Sequence, residues 1–450
     1  MTDIVYESTP MECWVTLPAI WSEEAKVATL EAAKKAGFSS RPGDEIFTIA
    51  EPEAAAIATL KMYSHTDSFN KLKPRDNILI CDCGGGTVDI TTYTIVEVEP
   101  RLEFDELYVG VGGKCGSTYI DRNLHAFLLD RFGSAFDEVS DAQKGPGSQF
   151  MTCFEMVKRD FGRNEEQDTV ELSPLRLNTE DSSWYDEEER MVFLTHEEMQ
   201  GLFDPVVRQV LNLVEQQVIE TKENQNAVID RIVLVGGFGE SPYLNKVLKE
   251  WCSQHGGITL MCPEHPQSAV VRGAALRGLE GVVPRIKKAR RHYGVGLNCP
   301  FEEGVDLESL GYIDEWDGRK LCLNRVVWMV SKGENISADT VLQKSYVHRY
   351  TPGVDIRCTK TLYSTALDIP PRYSTDSRVE EVGKIVSTFP KDFDFGLSAK
   401  SVYSTKSKKM IHQFEADTQV RFGDKGSNLT FKDLFNGEVK SSATIEFSSH

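Results

Sequence analysis

None of the ten cysteines stands in a CxxC pair. Without that spacing an ordinary zinc site is excluded, and the scattered thiols read as reduced cysteines of a cytoplasmic protein. Cys81 and Cys83 fall two apart in a predicted strand, where one of them is expected to point inward. Long apolar runs are missing as well: no stretch approaches the ~18 residues of a membrane-spanning helix. The opening MTDIVYESTPMECW has no basic start and no apolar centre, so it reads as no secretory leader. Positive charge is short: 50 Lys and Arg stand against 69 Asp and Glu, a formal net charge of -19. Such a surface repels phosphate backbones, which argues against nucleic acid as a partner. The remaining composition, 40% hydrophobic and 26% charged, is that of a soluble globular chain. Single cores rarely outgrow roughly 300 residues, so two domains are expected.

Two common nucleotide signatures are also absent. No GxxxxGK[ST] string occurs, and no GxGxxG joins a strand to a helix. What is there is DCGGGTVDI, Asp82–Ile90, directly after the apolar run NILI. β-Branched residues dominate both sides, so two strands joined by a triglycine tip are predicted. Glycine lets successive backbone N–H groups approach an anion with no Cβ in the way. Acids before and after the tip suit magnesium, which prefers oxygen ligands and keeps several waters. On this reading Asp82 and Asp89 hold those waters, the amides of Gly84, Gly85, Gly86 and Thr87 take phosphate oxygens, and the Thr87 hydroxyl orients an attacking water. The competing reading is a type I′ hairpin turn with no ligand. An Asn-Gly or Asp-Gly pair suffices for that turn, and each extra glycine costs roughly 0.5–1 kcal/mol of conformational freedom.

Along the chain, CWVTL (13–17) reads as a strand, and Ser22 as the cap of a helix Glu23–Ala36 stopped by Gly37. IFTIAEPEAAAIATLKMY begins as a strand and continues as a helix past Pro52. A strand, a second glycine-rich turn (Gly110–Gly116) and a helix follow, then a helical MTCFEMVKRDFG. Residues 163–190 read as a polar surface hairpin or insert. Thr195 and Glu198 form a capping box that opens a helix through Val218. DRIVLVGGFGESPYLNKVLKEW reads as a buried strand, a Gly-Gly turn and a helix. SAVVRGAALRGLEG is a small-residue helix expected to pack close to a sheet. RIKKARR after Pro284 reads as a basic linker, and residues 292–450 as a β-rich domain. Within it the apolar VVWMV, Val326–Val330, is expected in the core.

In order, WVTLPAIWSEEAKVATLEAAKKAGF, EPEAAAIATL, DCGGGTVD, GVGG…DRNLHAFL, FEMVKRDFG and IVLVGGFGESPYLNKVL resemble the DnaK-type chaperones of the heat shock protein 70 family, over about residues 12–280. EVGKIVSTFP and the divergent tail resemble its atypical branch of large heat-shock-like proteins. The resemblance implies an α/β fold of the actin/hexokinase (ribonuclease H-like) type over residues 1–284. Over 285–450 it implies a β-rich domain in the place of a peptide-binding sandwich. It implies ATP or ADP with Mg2+ as cofactor. Asp82, Asp89 and Glu51 then hold the metal's waters, with Thr87 in the same catalytic group, and Gly84–Thr87 form a phosphate loop. Gly112 and Gly113 approach phosphate from the other lobe, and Pro52 lies at the hinge between lobes. Glu155, Lys158 and Arg159 line the adenosine pocket, with Gly236 and Gly237 beneath it. Taken alone, each has a plainer reading: a solvated helix face for the three charged residues, and an ordinary α/β turn for the Gly-Gly pair.

Three departures from the family pattern qualify this. The family's first phosphate loop and a phosphate-reaching lysine precede VTLPA, whereas eleven residues precede Glu12 here. An incomplete nucleotide domain with weak or lost hydrolysis is therefore expected. After Gly-Gly, Phe238 and Glu240 stand where the family has a small polar residue and a base-stacking arginine. Phe238 either stacks on the base in its stead or is a packed core side chain. Gln267 replaces an aspartate of the family pattern, which removes a carboxylate from a monovalent-ion site. Residues 380–450 show no amphipathic helix to act as a lid. The resulting expectation is a chaperone-like, stress-response ATP-binding protein that meets extended polypeptide clients and co-chaperones. A non-hydrolysing nucleotide sensor or scaffold is the alternative, and an actin-fold metabolite kinase a third. Nothing marks the sugar-pocket aspartate that such a kinase needs.

Overall fold

In the computed structural model the described residues are 9–446 apart from 20, 22, 66–69, 164–168, 338, 397–398, 406–407 and 423–427. The Ser22 cap lies outside them. The chain packs as two compact units, Met1–Pro284 and Arg285–His450.

The first unit opens with β1 (Glu12–Leu17), helix α1 (Glu23–Lys35) and β2 (Glu45–Ala50), the two strands pairing in parallel. Helix α2 (Glu51–Ser64) follows β2 without a loop. Its second residue, Pro52, costs nothing there, because the first helical N–H groups have no intrahelical partner. A five-stranded sheet then carries β3 (Asn77–Cys83), β4 (Val88–Glu97) and β5 (Glu103–Gly113), with β9 (Arg231–Val235) and β10 (Thr259–Met261) on the far side of β3. Near-continuous apolar runs in β3 and β9 fit strands covered on both faces. One face packs against α3 (Thr118–Phe132), α4 (Gln149–Asp160), α5 (His196–Gln225) and α6 (Pro242–Gln254), the other against α2 and α7 (Ala269–Glu280).

Several expectations change here. Gly110–Gly113 are not in a turn: β5 runs through them, and only Lys114–Ser117 turn. Pairing with β4 outweighs the weak strand propensity of glycine. Cys81 and Cys83 are both buried, because residues two apart share a strand face; their sulfurs lie 3.6 Å apart as free thiols. The small-residue helix α7 packs close to a sheet, as expected, with Ala269 and Ala274 in the core beside Ile78 and Val233, and it also packs tightly on helix α2: a Cβ at Gly273 would sit 1.7 Å from the Ala54 carbonyl oxygen. The 163–190 stretch is more than surface: β6 (Thr169–Leu172) and β7 (Tyr185–Asp186) flank β8 (Met191–Thr195), and Leu172, Leu175, Leu177 and Tyr185 join the core. The Thr195/Glu198 capping box is present, and α5 continues to Gln225 before Asn226 ends it in a left-handed conformation.

The second unit is a sandwich. One sheet holds β12 (His292–Pro300), β13 (Gly311–Ile313), β14 (Lys320–Val330), β17 (Ile356–Thr365) and β18 (Glu380–Phe389). The other holds β16 (Val341–Tyr350), β19 (Lys400–Ser404), β20 (Lys409–Phe422), β21 (Asn428–Phe435) and β22 (Glu438–Glu446). Val295, Leu362 and Ile385 from the first meet Val420, Leu429 and Phe431 from the second. Val326, Met329 and Val330 of VVWMV are buried. The basic stretch is no free linker: Lys287–Lys288 (β11) pair with Asn335–Ile336 (β15), and Arg291 donates to Ser364 and pairs with Glu380.

Candidate functional site

The triglycine tip joins β3 to β4 in a tight loop, in which the Gly84 N–H donates to the Thr87 carbonyl at 2.9 Å. None of Gly84, Gly85 and Gly86 has a positive φ, which excludes the type I′ turn. The loop is held from outside. Gly116, Ser117 and Thr118, at the start of α3, donate their N–H groups to the carbonyls of Gly86, Gly84 and Gly85 at 3.3, 3.1 and 2.9 Å. The Thr118 hydroxyl also donates to the Gly85 carbonyl at 2.8 Å. With the carbonyls turned toward α3, the glycines separate into two kinds. At Gly116 a Cβ would lie 2.4 Å from the Gly85 oxygen, and at Gly236 (φ +85) 2.3 Å from the Cys83 oxygen, so the fold itself requires those two. At Gly85 only an ordinary contact at 3.8 Å awaits a Cβ, and at Gly86 nothing lies within 4 Å. Neither backbone conformation nor packing demands glycine at 85 and 86.

Behind the tip, Asp82 of β3 and Asp89 of β4 are direct cross-strand partners, and both are buried. Like charges in that relation repel. Gly112 of β5 sits opposite Asp89, and Gly113 opposite Val88. Gly113 also abuts Leu213 of α5, so it answers packing as well as the loop. Glu51, the first residue of α2, adds a third carboxylate. Burial, then Glu51 and Asp89, push the Asp82 carboxyl up to about 8. Burial and the field of Asp89 push Glu51 up to about 7. No cation among the described residues offsets either shift. Among the described residues no three His, Cys, Asp or Glu side chains converge tightly enough to hold a bare metal ion.

On the other flank a cavity of about 970 Å3 opens between α4 and the loop after β9. Gly85, Glu155, Lys158, Arg159, Gly237 and Phe238 line it, whereas Glu51, Asp82, Thr87, Asp89, Gly84, Gly86, Gly112, Gly113 and Gly236 do not. Gly236 bridges the two parts: a Cβ there would lie 2.5 Å from Oδ1 of Asp82, and its neighbour Gly237 faces the cavity. Lys158 is 5% exposed and ion-paired with Asp121 at 2.6 Å and Glu155 at 2.7 Å. Burial alone raises Glu155, but hydrogen bonds from Lys158 and Arg159 outweigh it and hold its carboxyl below the usual range. Arg159, exposed, donates to Glu155 at 2.8 Å. Phe238 is 5% exposed, packs in the core and also borders the cavity. Sequence reasoning missed Asp121, Gly116, Ser117 and Thr118. Gly116 stood in a glycine-rich stretch, but Asp121 meets Lys158 from 37 residues away, with no local signal.

No helix among the described residues is long and apolar enough to cross a membrane. The sequence profile of the Hsp70 protein family matches residues 5–283. Heat shock 70 kDa protein 12B of Homo sapiens is 26% identical over 441 residues, covering 83% of this chain and 62% of that protein. Heat shock 70 kDa protein 12A of Mus musculus is 24% identical over 409 residues, covering 76% and 59%. The chaperone protein DnaK of Thermoplasma volcanium is 25% identical over 279 residues, covering 59% and 39%. The chain thus spans about three fifths of the length of the two heat shock 70 kDa relatives. With an α/β first unit of the actin-like ATPase fold followed by a β-rich unit, the chain belongs to a divergent branch of the Hsp70 family.

Proposed function

We propose that the first unit binds an adenine nucleotide with Mg2+, and that nucleotide occupancy, rather than rapid turnover, is its working signal. The observation that carries this reading is the group of three carboxylates: Asp82 and Asp89 are cross-strand partners, and burial with repulsion from neighbouring acids raises Asp82 and Glu51. Buried like charges are costly unless a cation joins them. Beside them stand Gly85 and Gly86, whose missing side chains the chain itself does not require. The amides of Gly85, Gly86 and Thr87 receive phosphate oxygens, that of Gly84 being taken by the Thr87 carbonyl, and Lys158 and Arg159 with Gly237 form the wall for the nucleoside. Mg2+, when bound through Glu51, Asp82 and Asp89, neutralises phosphate charge. Thr87, within the loop, offers a hydroxyl for positioning a water. Slow turnover is supported by Glu240 and Gln267, which replace a base-stacking cation and an ion-binding carboxylate of the family pattern.

The β-rich unit is read as the partner-binding half, meeting extended polypeptides in the manner of the family, with co-chaperones as further partners, in a cytoplasmic stress response. Calorimetric titration with MgATP and MgADP tests the nucleotide reading. The expected result is saturable binding that needs Mg2+, is lost in Asp82→Ala, and gives little phosphate release over one turnover. Absence of saturable binding, or equal binding by Asp82→Ala, overturns it. A non-hydrolysing scaffold is separated from a chaperone by whether MgATP changes capture of an unfolded polypeptide.

A further inference from the structure

A second cavity, of about 750 Å3, adjoins the first: Thr118, Asp121 and Glu155 line both. Its own lining adds Arg122 and His125 of α3, and Pro146, Gly147, Met151 and Thr152 from the approach to α4 and its first turns. Thr118, Asp121, Arg122 and His125 follow an i, i+3, i+4, i+7 spacing, which is one face of a helix. A polar face of this kind ordinarily meets open solvent; here it forms one wall of a pocket whose volume suits a small organic ligand.

The charges around it are unequally satisfied. Asp121 is taken by Lys158 at 2.6 Å, and Glu155 by Lys158 and Arg159 at 2.7 and 2.8 Å. Arg122 makes no ion pair among the described residues; its guanidinium lies 4.4 Å above the Tyr119 ring. His125 is kept neutral chiefly by burial, with its ring edge-on to Phe136 at 5.6 Å. The open valence of this pocket is therefore one positive charge beside the apolar surfaces of Met151 and Pro146. A planar guanidinium pairs with a carboxylate in bidentate fashion, which a neutral ligand cannot reproduce.

We propose that this cavity is a second ligand site, separate from the nucleotide cleft, that takes a small aryl carboxylate with Arg122 as its counter-charge. Asp121 and Glu155 border both cavities and both hold Lys158. A ligand that repels or displaces either carboxylate disturbs Lys158 at the wall of the first cavity, so the two sites are coupled, and by linkage reciprocally. The coupling rests on the nucleotide reading of the first cavity; the second site itself does not.

The test is a titration of the full chain, methyl-labelled at methionine, with 2-naphthoate and no nucleotide. Met151 lines the second cavity and Met156 the first, so their two methyl resonances report the cavities separately. Met151→Leu and Met156→Leu assign them. The expected result is a saturable shift of the Met151 resonance with a dissociation constant on the order of 1 mM. Arg122→Met weakens it at least about fivefold, and 2-naphthamide binds no better to the native chain than 2-naphthoate binds to that variant. No saturable Met151 shift, or equal binding of amide and carboxylate, overturns the site. The titration is then repeated with MgADP at saturation, judged by the Met156 resonance. A change of at least about twofold in naphthoate affinity supports the coupling, and an unchanged affinity with Met156 shifted overturns it. An unmoved Met156 counts against the nucleotide reading and against coupling, while the first titration still decides the second site.

Discussion

Buried acids occur in both units of this chain, and the two units treat them in opposite ways. In the sandwich, Asp433 accepts from the Lys360 ammonium at 2.9 Å, from the Thr418 hydroxyl at 2.7 Å and from the Ser387 hydroxyl at 3.2 Å. Lys360 in turn donates to Thr418 at 2.8 Å and lies over the Tyr346 ring. Every charge there has its partner within the chain, and the network ties one sheet to the other. In the first unit, Asp82 faces Asp89 across a strand pair with Glu51 near by, and no cation among the described residues offsets the raised carboxyls of Asp82 and Glu51. A satisfied buried charge is part of the fold's own stability. Buried acids raised by burial and by one another, as Asp82 and Glu51 are, stand at a cost that is tolerated where a ligand repays it.

The largest effect expected from this contrast lies in the sandwich. Asp433→Ala strands a lysine that is 1% exposed, and should lower unfolding free energy by about 3–5 kcal/mol. The double variant Lys360→Met/Asp433→Leu should recover most of that. Equilibrium urea unfolding measures both; a loss under about 1 kcal/mol for Asp433→Ala would erase the distinction between the units.

At the carboxylates the sign reverses. Asp82→Asn removes a repelling charge and should stabilise the metal-free protein by about 1–2 kcal/mol near pH 8, while abolishing Mg2+-dependent nucleotide binding. The pH dependence follows from the same shift. Asp82 is raised from 3.8 to about 8, so the stability it contributes is fully present in its neutral form below pH 4 and is lost as pH rises toward 8. The metal-free melting temperature should fall between pH 5 and pH 8, less steeply in Asp82→Asn, and Mg2+ with nucleotide should restore it at pH 8. A flat profile in calorimetric scans would show that the cluster is not held at a cost.

The smallest effect on the fold should come from the loop tip. Gly86→Ala meets open space at an unstrained φ, so unfolding free energy should stay within about 0.5 kcal/mol of the native value. On the proposed nucleotide reading, affinity should nonetheless drop at least about tenfold, because the new methyl would stand in the path assigned to phosphate. Gly116→Ala, which drives a Cβ into the Gly85 carbonyl, should damage stability and binding together. Equal losses at the two glycines would mean that the tip is structural throughout.

How far the sequence leads depends on the distance over which each signal acts. The hairpin at Asp82–Ile90, the capping box at Thr195 and Glu198, and the strand-to-helix passage at Pro52 are set by residues within a few positions of one another, and are legible. Gly110–Gly116 reads as a turn throughout because its glycine content is local, whereas the pairing partner that β4 provides is not. The packing of α7 on α2 through Gly273 and Ala54, the grip of Asp121 on Lys158 and the Lys360–Asp433 pair join residues 37 to 219 positions apart, or carry no pattern at all. The residue types are visible in the sequence, but their partners are not.

By itself, the order of residues determined that a bare strip of backbone lies between two acids at the end of an apolar strand, and that strands replace helices after Pro284. Those outcomes rest on local sterics and on period-two patterning, which need no distant partner. Tertiary structure alone decided which glycines the fold consumes and which it leaves open, and which buried acids find a cation. Both depend on the atoms that long-range packing brings within a few ångströms, and neither spacing nor composition encodes them.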